Sequence, residues 1–391
     1  MALCAGGMMS LPSPPCRAGA VTCLTVADPS GCVSRLVGAR ERPRYRLLEL
    51  LGEHGYYSIG SRVHVEASRL SEDPFQELTV RILVWGGGLR EDKGYVGGVV
   101  YSEEYMGRQY SFIRGDGDTR TDAVYVRDAN WRWMLLEKLP SQLKPLIVIE
   151  MSLLWRHSPR ELVSLRKQIA AALGVVRRYL WDRHLLLAGI PEGGFEWLRL
   201  LMGRGSVSIS SLPGDEAAML RGARRIILLD PSAEKPLTPS EVLEADAFIL
   251  GGIVDRLPRP GETSRLRLRG LAEPRRLLFH GDVHGVPNRI NMLVEILLRA
   301  RYKYCGDLDQ AIRSVMSPRD ARLRAAVEIA RWSRGKKRTV PWTLYEELCK
   351  WLPLTPRDFV RAARMAGLEV EGSPRENEGV QQRPNSSHGQ R

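Results

Sequence analysis

Short apolar runs alternate with amphipathic stretches through the middle of the chain. Leu146–Glu150, His184–Ala188, Ser206–Ser210, Arg225–Asp230, Ala247–Gly251 and Arg276–His280 read as buried strands. Between them, Pro159–Leu173 closed by Gly174, Phe195–Met202, Gly214–Arg221, Pro239–Ala245 and Val286–Arg301 read as helices. Strands that alternate with helices predict a mostly parallel sheet covered on both faces, an α/β domain over residues 143–304. Four sites share one helix-start device: Ser158-Pro159-Arg160-Glu161, Thr238-Pro239-Ser240-Glu241, Ser317-Pro318-Arg319-Asp320 and Thr355-Pro356-Arg357-Asp358. In each, a hydroxyl can cap, proline takes the first helical position and an acid can reach back to the cap. Such boxes report structure and carry no functional weight.

Residues 41–142 have a different texture. A helix near Tyr45–Leu51 precedes strand-like runs around Val63–Val65, Leu78–Trp85, Tyr95–Tyr101 and Gln109–Ile113, with turns expected at Gly86–Gly88 and Gly115–Gly117. This predicts a small α+β accessory domain. Residues 305–371 read as helical and basic, with Leu323, Val327 and Ala330 on one helix face. The leader, residues 1–40, and the tail, 372–391, are expected to be disordered.

The chain has 391 residues and a formal charge of +13. Residues 256–278 hold seven Arg and two Glu, and residues 301–338 hold eleven Lys and Arg against four acids, so these two stretches carry +12 of that charge. Such clustering is the footprint of a phosphate-binding surface. A general bias toward arginine would explain the preference for Arg over Lys but not the clustering. Arg265, Arg267 and Arg269 alternate with Leu266 and Leu268, so an extended segment would put the three guanidiniums on one face.

No apolar stretch reaches the roughly 20 residues of a membrane helix; Leu277–Leu298 is broken by His280, Asp282, Arg289 and Glu295. The leader lacks the compact apolar region of a secretory signal. A cytoplasmic protein is expected. Four of six Cys (Cys4, Cys16, Cys23, Cys32) fall in the leader without C-x-x-C spacing, which argues against a zinc site.

Neither G-x-G-x-x-G nor G-x-x-x-x-G-K-[ST] is present, which excludes the ordinary nucleotide-binding signatures. Two segments remain. Phe248–Asp255 ends an apolar strand in Gly251-Gly252 and continues through Ile253 and Val254 to Asp255; it is either a close approach of a ligand or neighbouring segment, or a plain strand-to-loop turn. His280–Asn291 joins the last strand to a helix; His280, Asp282 and His284 could ligate a metal, or the loop could hold an adenosine-like ligand through main-chain groups.

Together, Asp230-Pro231-Ser232-Ala233, Leu250–Asp255, Gly285-Val286-Pro287-Asn288-Arg289-Ile290-Asn291 with Val294–Leu297, and the weaker Tyr304–Asp307 resemble the archaeal tRNA position-9 N1-methyltransferases of the SPOUT, or trefoil-knot, superfamily. The resemblance covers roughly residues 143–320. It implies a knotted S-adenosylmethionine site built from Leu250, Gly251, Gly252, Val254, Gly261, Gly285, Val286, Pro287 and Asn291, with no metal. It implies Asp255 as the catalytic carboxylate, with Asp230 and Asp282 as structural caps or second-rank candidates, and a monomer that grips tRNA. The basic stretches then nominate Arg256, Arg265, Arg267, Arg269, Lys336, Lys337 and Arg338 for phosphate contact. The expected activity is methylation of N1 of the position-9 purine, adenine ahead of guanine or both. The rival is a non-catalytic RNA-binding protein with a degenerate knot.

Overall fold

The computed structural model describes residues 42–61, 73–202, 207–254, 261, 263–334 and 338–372. The leader, the expected strand at Val63–Val65, Asp255, Arg256, Lys336, Lys337 and the tail beyond Gly372 lie outside the described residues. The described chain forms two compact units that divide between Val315 and Met316.

The first unit opens with helix α1 (Pro43–Glu53), strand β1 (Ser58–Ser61) and helix α2 (Pro74–Trp85). Leu78–Trp85, expected as a strand, is therefore helical. The Asp73 side chain accepts from Gln76 N at 3.0 Å, Pro74 follows the cap, and Phe75, Leu78, Val80, Ile82, Leu83 and Val84 are all buried. A segment buried on every side carries no period from which to tell helix from strand.

Strands β2 (Gly88–Glu91), β3 (Val96–Tyr105), β4 (Arg108–Arg120) and β5 (Ala123–Val126) complete a five-stranded mixed sheet, order β2-β5-β1-β4-β3. Helix α3 (Arg132–Lys138) follows. The turn expected at Gly115–Gly117 lies inside β4, where positive φ at Gly115 (68°) and Gly117 (155°) accompanies the register shift at Gly97/Gly98. The core of this sheet also takes in Trp181, from the connection that leads into β7 of the next sheet.

That second sheet contains six parallel strands: β6 (Leu146–Glu150), β7 (Leu185–Ala188), β8 (Ser208–Ile209), β9 (Ile226–Leu229), β10 (Ala247–Gly251) and β11 (Glu273–Arg275). Their spatial order is β11-β9-β10-β6-β7-β8. Helices α4 (Pro159–Tyr179), α5 (Gly194–Met202), α6 (Gly214–Met219), α7 (Pro239–Glu244), α8 (Ile290–Tyr302) and α9 (Leu308–Val315) accompany it. Helix α4 runs past Gly174, because burial of Val175 and Val176 outweighs the roughly 1 kcal/mol that a helical glycine costs. The last strand precedes the expected Arg276–His280, whose apolar Leu277 and Phe279 are buried from an irregular segment with bridges at Arg276 and Phe279.

In the second unit, α10 (Pro318–Ser333), β12 (Thr339–Pro341), α11 (Trp342–Leu348), α12 (Pro356–Met365) and β13 (Glu369–Glu371) follow one another, with β12 and β13 paired. The buried face of α10 is Ala321, Arg324, Ala325 and Ile329, not the Leu323 row, and Leu323 is exposed. Ala321 and Ala325 on that face are fully buried.

Candidate functional site

The order of the six-stranded sheet creates its own crevice. From β6 the chain leaves through α4 toward β7 on one side, and from β10 it leaves toward β11 on the other, although β6 and β10 are neighbours. Such a reversal opens a gap beyond the carboxyl ends of the two strands, where ligands bind in open α/β sheets. The chain at this gap is Glu150-Met151-Ser152 on one lip and Gly251–Val254 on the other.

The paired glycines have different duties. Gly252 N donates to Glu150 O at 2.8 Å, and a β-carbon on Gly252 would sit 2.7 Å from that oxygen and 2.8 Å from Met151 Sδ. Its smallness serves a neighbouring strand. Gly251 is half-buried, and a β-carbon there would first meet the side chain of Ile253 at 2.9 Å and then Leu266 Cδ1 at 3.5 Å. Strand β10 pairs with β6 through Gly251 but with β9 only through Ile249, so past Ile249 its β9-side edge has no ladder partner among the described strands. Main-chain groups at Leu250 and Gly251 are the kind of donors and acceptors that an adenosine can read without a glycine fingerprint.

Two buried acids missed at the sequence level support this edge. The Glu150 carboxylate is fully buried and accepts from Ser152 N at 3.0 Å and Gly214 N at 2.6 Å. Burial pushes its pKa up, the neighbouring Asp215 charge adds to that, and the amide donors oppose it. Asp215, also fully buried, accepts from Glu216 N at 2.9 Å, Arg269 N at 2.8 Å and Leu271 N at 3.0 Å. Ser152 Oγ accepts from Arg267 N at 3.2 Å. The arginine-rich segment is thereby strapped to the sheet through its backbone: Leu266 is buried and Leu268 packs on the core, while Arg265, Arg267 and Arg269 are exposed. The expected alternation is realised, although Arg265 ends a 3-10 turn and the Arg269 guanidinium pairs with Glu216 at 3.0 Å. Arg275 from the same stretch is structural, paired with Glu241 at 2.8 Å.

The second loop, Phe279–Arg289, turns on positive φ at His280 (46°), Gly281 (76°) and Gly285 (82°). Asp282 Oδ1 accepts from His284 N at 2.8 Å and lies 2.6 Å from His284 Nδ1, so Asp282 caps its own turn. Asp230 does the same for Ser232 N at 2.9 Å. Among the described residues no group of three or more His, Cys, Asp or Glu is placed to hold a metal. Pro287 is buried, Val286 and Asn291 are half-buried, and Gly261 is exposed with φ 77°.

One helix touches both loops. Gln168 Oε1, on α4, accepts from Ile290 N at 2.9 Å where α8 begins, which delays that helix past the expected Val286. Immediately before α4, His157 Nε2 accepts from Val254 N at 3.1 Å. These anchors are eleven positions apart in the chain. Leu250, Gly251, Gly252 and Val254 thus share one lip, and Gly285, Val286, Pro287 and Asn291 belong to a loop held by the same helix. Arg338 belongs to the second unit.

The chain is a mixed α/β protein with a parallel sheet that carries a switch point, the fold of the crystal structure of Sulfolobus acidocaldarius Trm10 in complex with S-adenosylhomocysteine; that chain superposes with TM-score 0.59 at 20% identity over 83% of this chain and 99% of the other. In sequence, this chain is similar to the tRNA (guanine(9)-/adenine(9)-N1)-methyltransferase of Thermococcus kodakarensis, 27% identical over 336 residues that cover 82% of this chain and 87% of that protein. It is also similar to the tRNA (adenine(9)-N1)-methyltransferase of Sulfolobus acidocaldarius, 28% identical over 281 residues, 68% of this chain and 87% of that one. A family model described as protein arginine N-methyltransferase SFM1-like matches residues 200–280.

Proposed function

We propose that this chain is an S-adenosylmethionine-dependent methyltransferase acting on N1 of the purine at position 9 of tRNA. The carrying observation is the switch-point crevice, whose Gly251–Val254 lip is held by His157, just before α4, and whose Gly285–Asn291 loop is held by Gln168 on α4. Support also comes from the two tRNA methyltransferases, which this chain matches over most of their length. The residues fit the donor: main-chain edges and turns rather than a glycine-rich phosphate cradle suit an adenosine without phosphates. When bound, S-adenosylmethionine supplies an activated methyl group. Leu250, Gly251, Gly252, Val254, Gly261, Gly285, Val286, Pro287 and Asn291 line its site in this reading, and the two loops form the trefoil knot.

Asp255, the next residue in the sequence after Val254, is the catalytic carboxylate in this reading. For guanine, N1 carries a proton that must leave, and the Asp255 carboxylate accepts it as general base. For adenine, the N1 lone pair is free; Asp255 orients the base or takes a proton from the exocyclic amine. Both similar tRNA enzymes include adenine in their names, so adenine is the favoured base. The target must leave its stack to enter the crevice. Arg256, Arg265, Arg267 and Arg269, and Lys336, Lys337 and Arg338 in the basic C-terminal region, grip phosphate in a monomeric, cytoplasmic enzyme. No helix among the described residues is long and apolar enough to cross a membrane.

A protein-arginine substrate is the second reading, favoured by the match over residues 200–280. That segment holds β8–β11 and the crevice lip, elements that serve the methyl donor whichever substrate accepts. The test is mass spectrometry of nucleosides from A9 and G9 transcripts incubated with enzyme and S-adenosylmethionine, beside an arginine-rich peptide. N1-methyladenosine at position 9 is expected. Methylated peptide with unmodified tRNA would move the assignment to proteins, and failure to bind the methyl donor would favour the non-catalytic RNA-binding protein.

A further inference from the structure

An imidazole holds the far end of the lip that follows β10. His157 Nε2 lies 3.1 Å from Val254 N, and His157 Nδ1 lies 3.0 Å from Leu154 O. An amide N–H can only donate and a carbonyl oxygen can only accept, so Nδ1 carries the proton and Nε2 is bare. Both contacts are satisfied only by the neutral Nδ1–H tautomer.

The post that carries this ring is itself fixed. Arg156 N donates to Leu153 O at 3.0 Å, Trp155 Nε1 donates to Glu192 O at 3.0 Å on the β7 side, and Ser158 caps α4 in a capping box with Glu161. One short segment after β6 therefore spans the switch point, braced toward β7 by Trp155 and toward β10 by His157. Val254 is nearly buried.

We propose that His157 is a positioning residue for methyl transfer, a latch that fixes the main chain at Val254, the residue that precedes Asp255 in the sequence. The proposal rests on the reading of Asp255 as the acting carboxylate, and it gives His157 no contact with substrate. Loss of the acceptor frees the Val254 amide and with it the main chain at Val254. A displacement of about 1 Å at a reacting group can lower turnover on the order of 100-fold.

The test uses the full chain and three variants. In His157→Gln the side-chain oxygen can occupy the place of Nε2 and accept from Val254 N. In His157→Asn the shorter amide can replace only the Nδ1 donor, and His157→Ala replaces neither. On an A9 transcript, His157→Asn and His157→Ala should lower kcat by roughly 10- to 100-fold with KM for tRNA little changed, and His157→Gln should recover most of the loss. Equal rates for the Gln and Asn variants, or a loss confined to KM, would overturn the latch. Nitrogen-15 histidine spectra of the wild-type chain decide the geometry separately: a neutral Nδ1–H resonance lost in His157→Ala is expected, and an Nε2–H tautomer refutes it. Absence of any methyl transfer to A9 or G9 tRNA would defeat the functional reading and, with it, the catalytic role of the latch; the spectra would still decide the bond.

Discussion

Gly252→Ala inserts a methyl carbon into occupied space. Its β-carbon would stand 2.7 Å from Glu150 O and 2.8 Å from Met151 Sδ, whereas carbon atoms attract best at roughly 3.5–4.0 Å. The neighbour cannot withdraw freely, because Gly252 N donates to that same oxygen at 2.8 Å. Overpacking costs about 1–3 kcal/mol, and a weakened amide bond adds about 0.5–1.5 kcal/mol. Together they put the loss at roughly 2–4 kcal/mol. Gly251→Ala is the control: it meets the flexible end of Ile253 at 2.9 Å, so its loss should stay below about 1 kcal/mol. Neither glycine adopts positive φ, so backbone strain does not confuse the comparison. Urea unfolding followed by tryptophan fluorescence reads both, with S-adenosylhomocysteine affinity measured alongside. Equal losses, or a larger loss for Gly251→Ala, would refute the assignment of Gly252 to strand packing.

Asp255→Asn should reduce methyl transfer by about 100- to 10,000-fold if the carboxylate moves a proton, with tRNA binding nearly intact in a filter-binding assay; unchanged turnover across a pH series would remove Asp255 from the mechanism. Replacing Lys336, Lys337 and Arg338 by Ala should weaken tRNA binding and flatten the slope of log K against log salt by about 0.7–0.9 for each phosphate left unneutralised, and an unaltered slope would exclude them from the interface. Burial holds the His184 imidazole down at about 4 against 6.5, assisted by Arg301 and opposed by the bond to Pro145 O. The folded state therefore refuses a proton that the unfolded chain takes, so stability is full above pH 6.5 and should fall by roughly 3 kcal/mol as pH drops to 4. His184→Asn, which can still donate to Pro145 O, should flatten that dependence in urea titrations, and equal slopes would refute it.

The strands β6 and β10 match their sequence runs residue for residue, because four apolar residues closed by an acid or a glycine leave little else to be. All four hydroxyl-proline-acid devices are capping boxes. The glycine-rich lip was visible too, but not which glycine packs on its neighbour, since that depends on the Glu150 carbonyl 102 positions away in the chain. His157, Gln168 and Asp215 were not legible at all: their partners lie 97, 122 and 54 positions distant, and no periodicity encodes such a pairing. Helix α2 was misread for the opposite reason, too much hydrophobicity rather than too little signal. The charge count located the arginines, whereas their ion pairs divide them into structural members such as Arg275 and exposed ones such as Arg267.

Trp181 belongs by sequence to the parallel sheet and by packing to the core of the mixed sheet before it, and Gln76 Nε2 from that first sheet's helix donates to Leu180 O at 2.7 Å. The two layers are thus not interchangeable parts. A graft that moved the amino-terminal sheet onto another enzyme of this fold would leave a tryptophan-sized hole unless the host supplied an indole at the same connection.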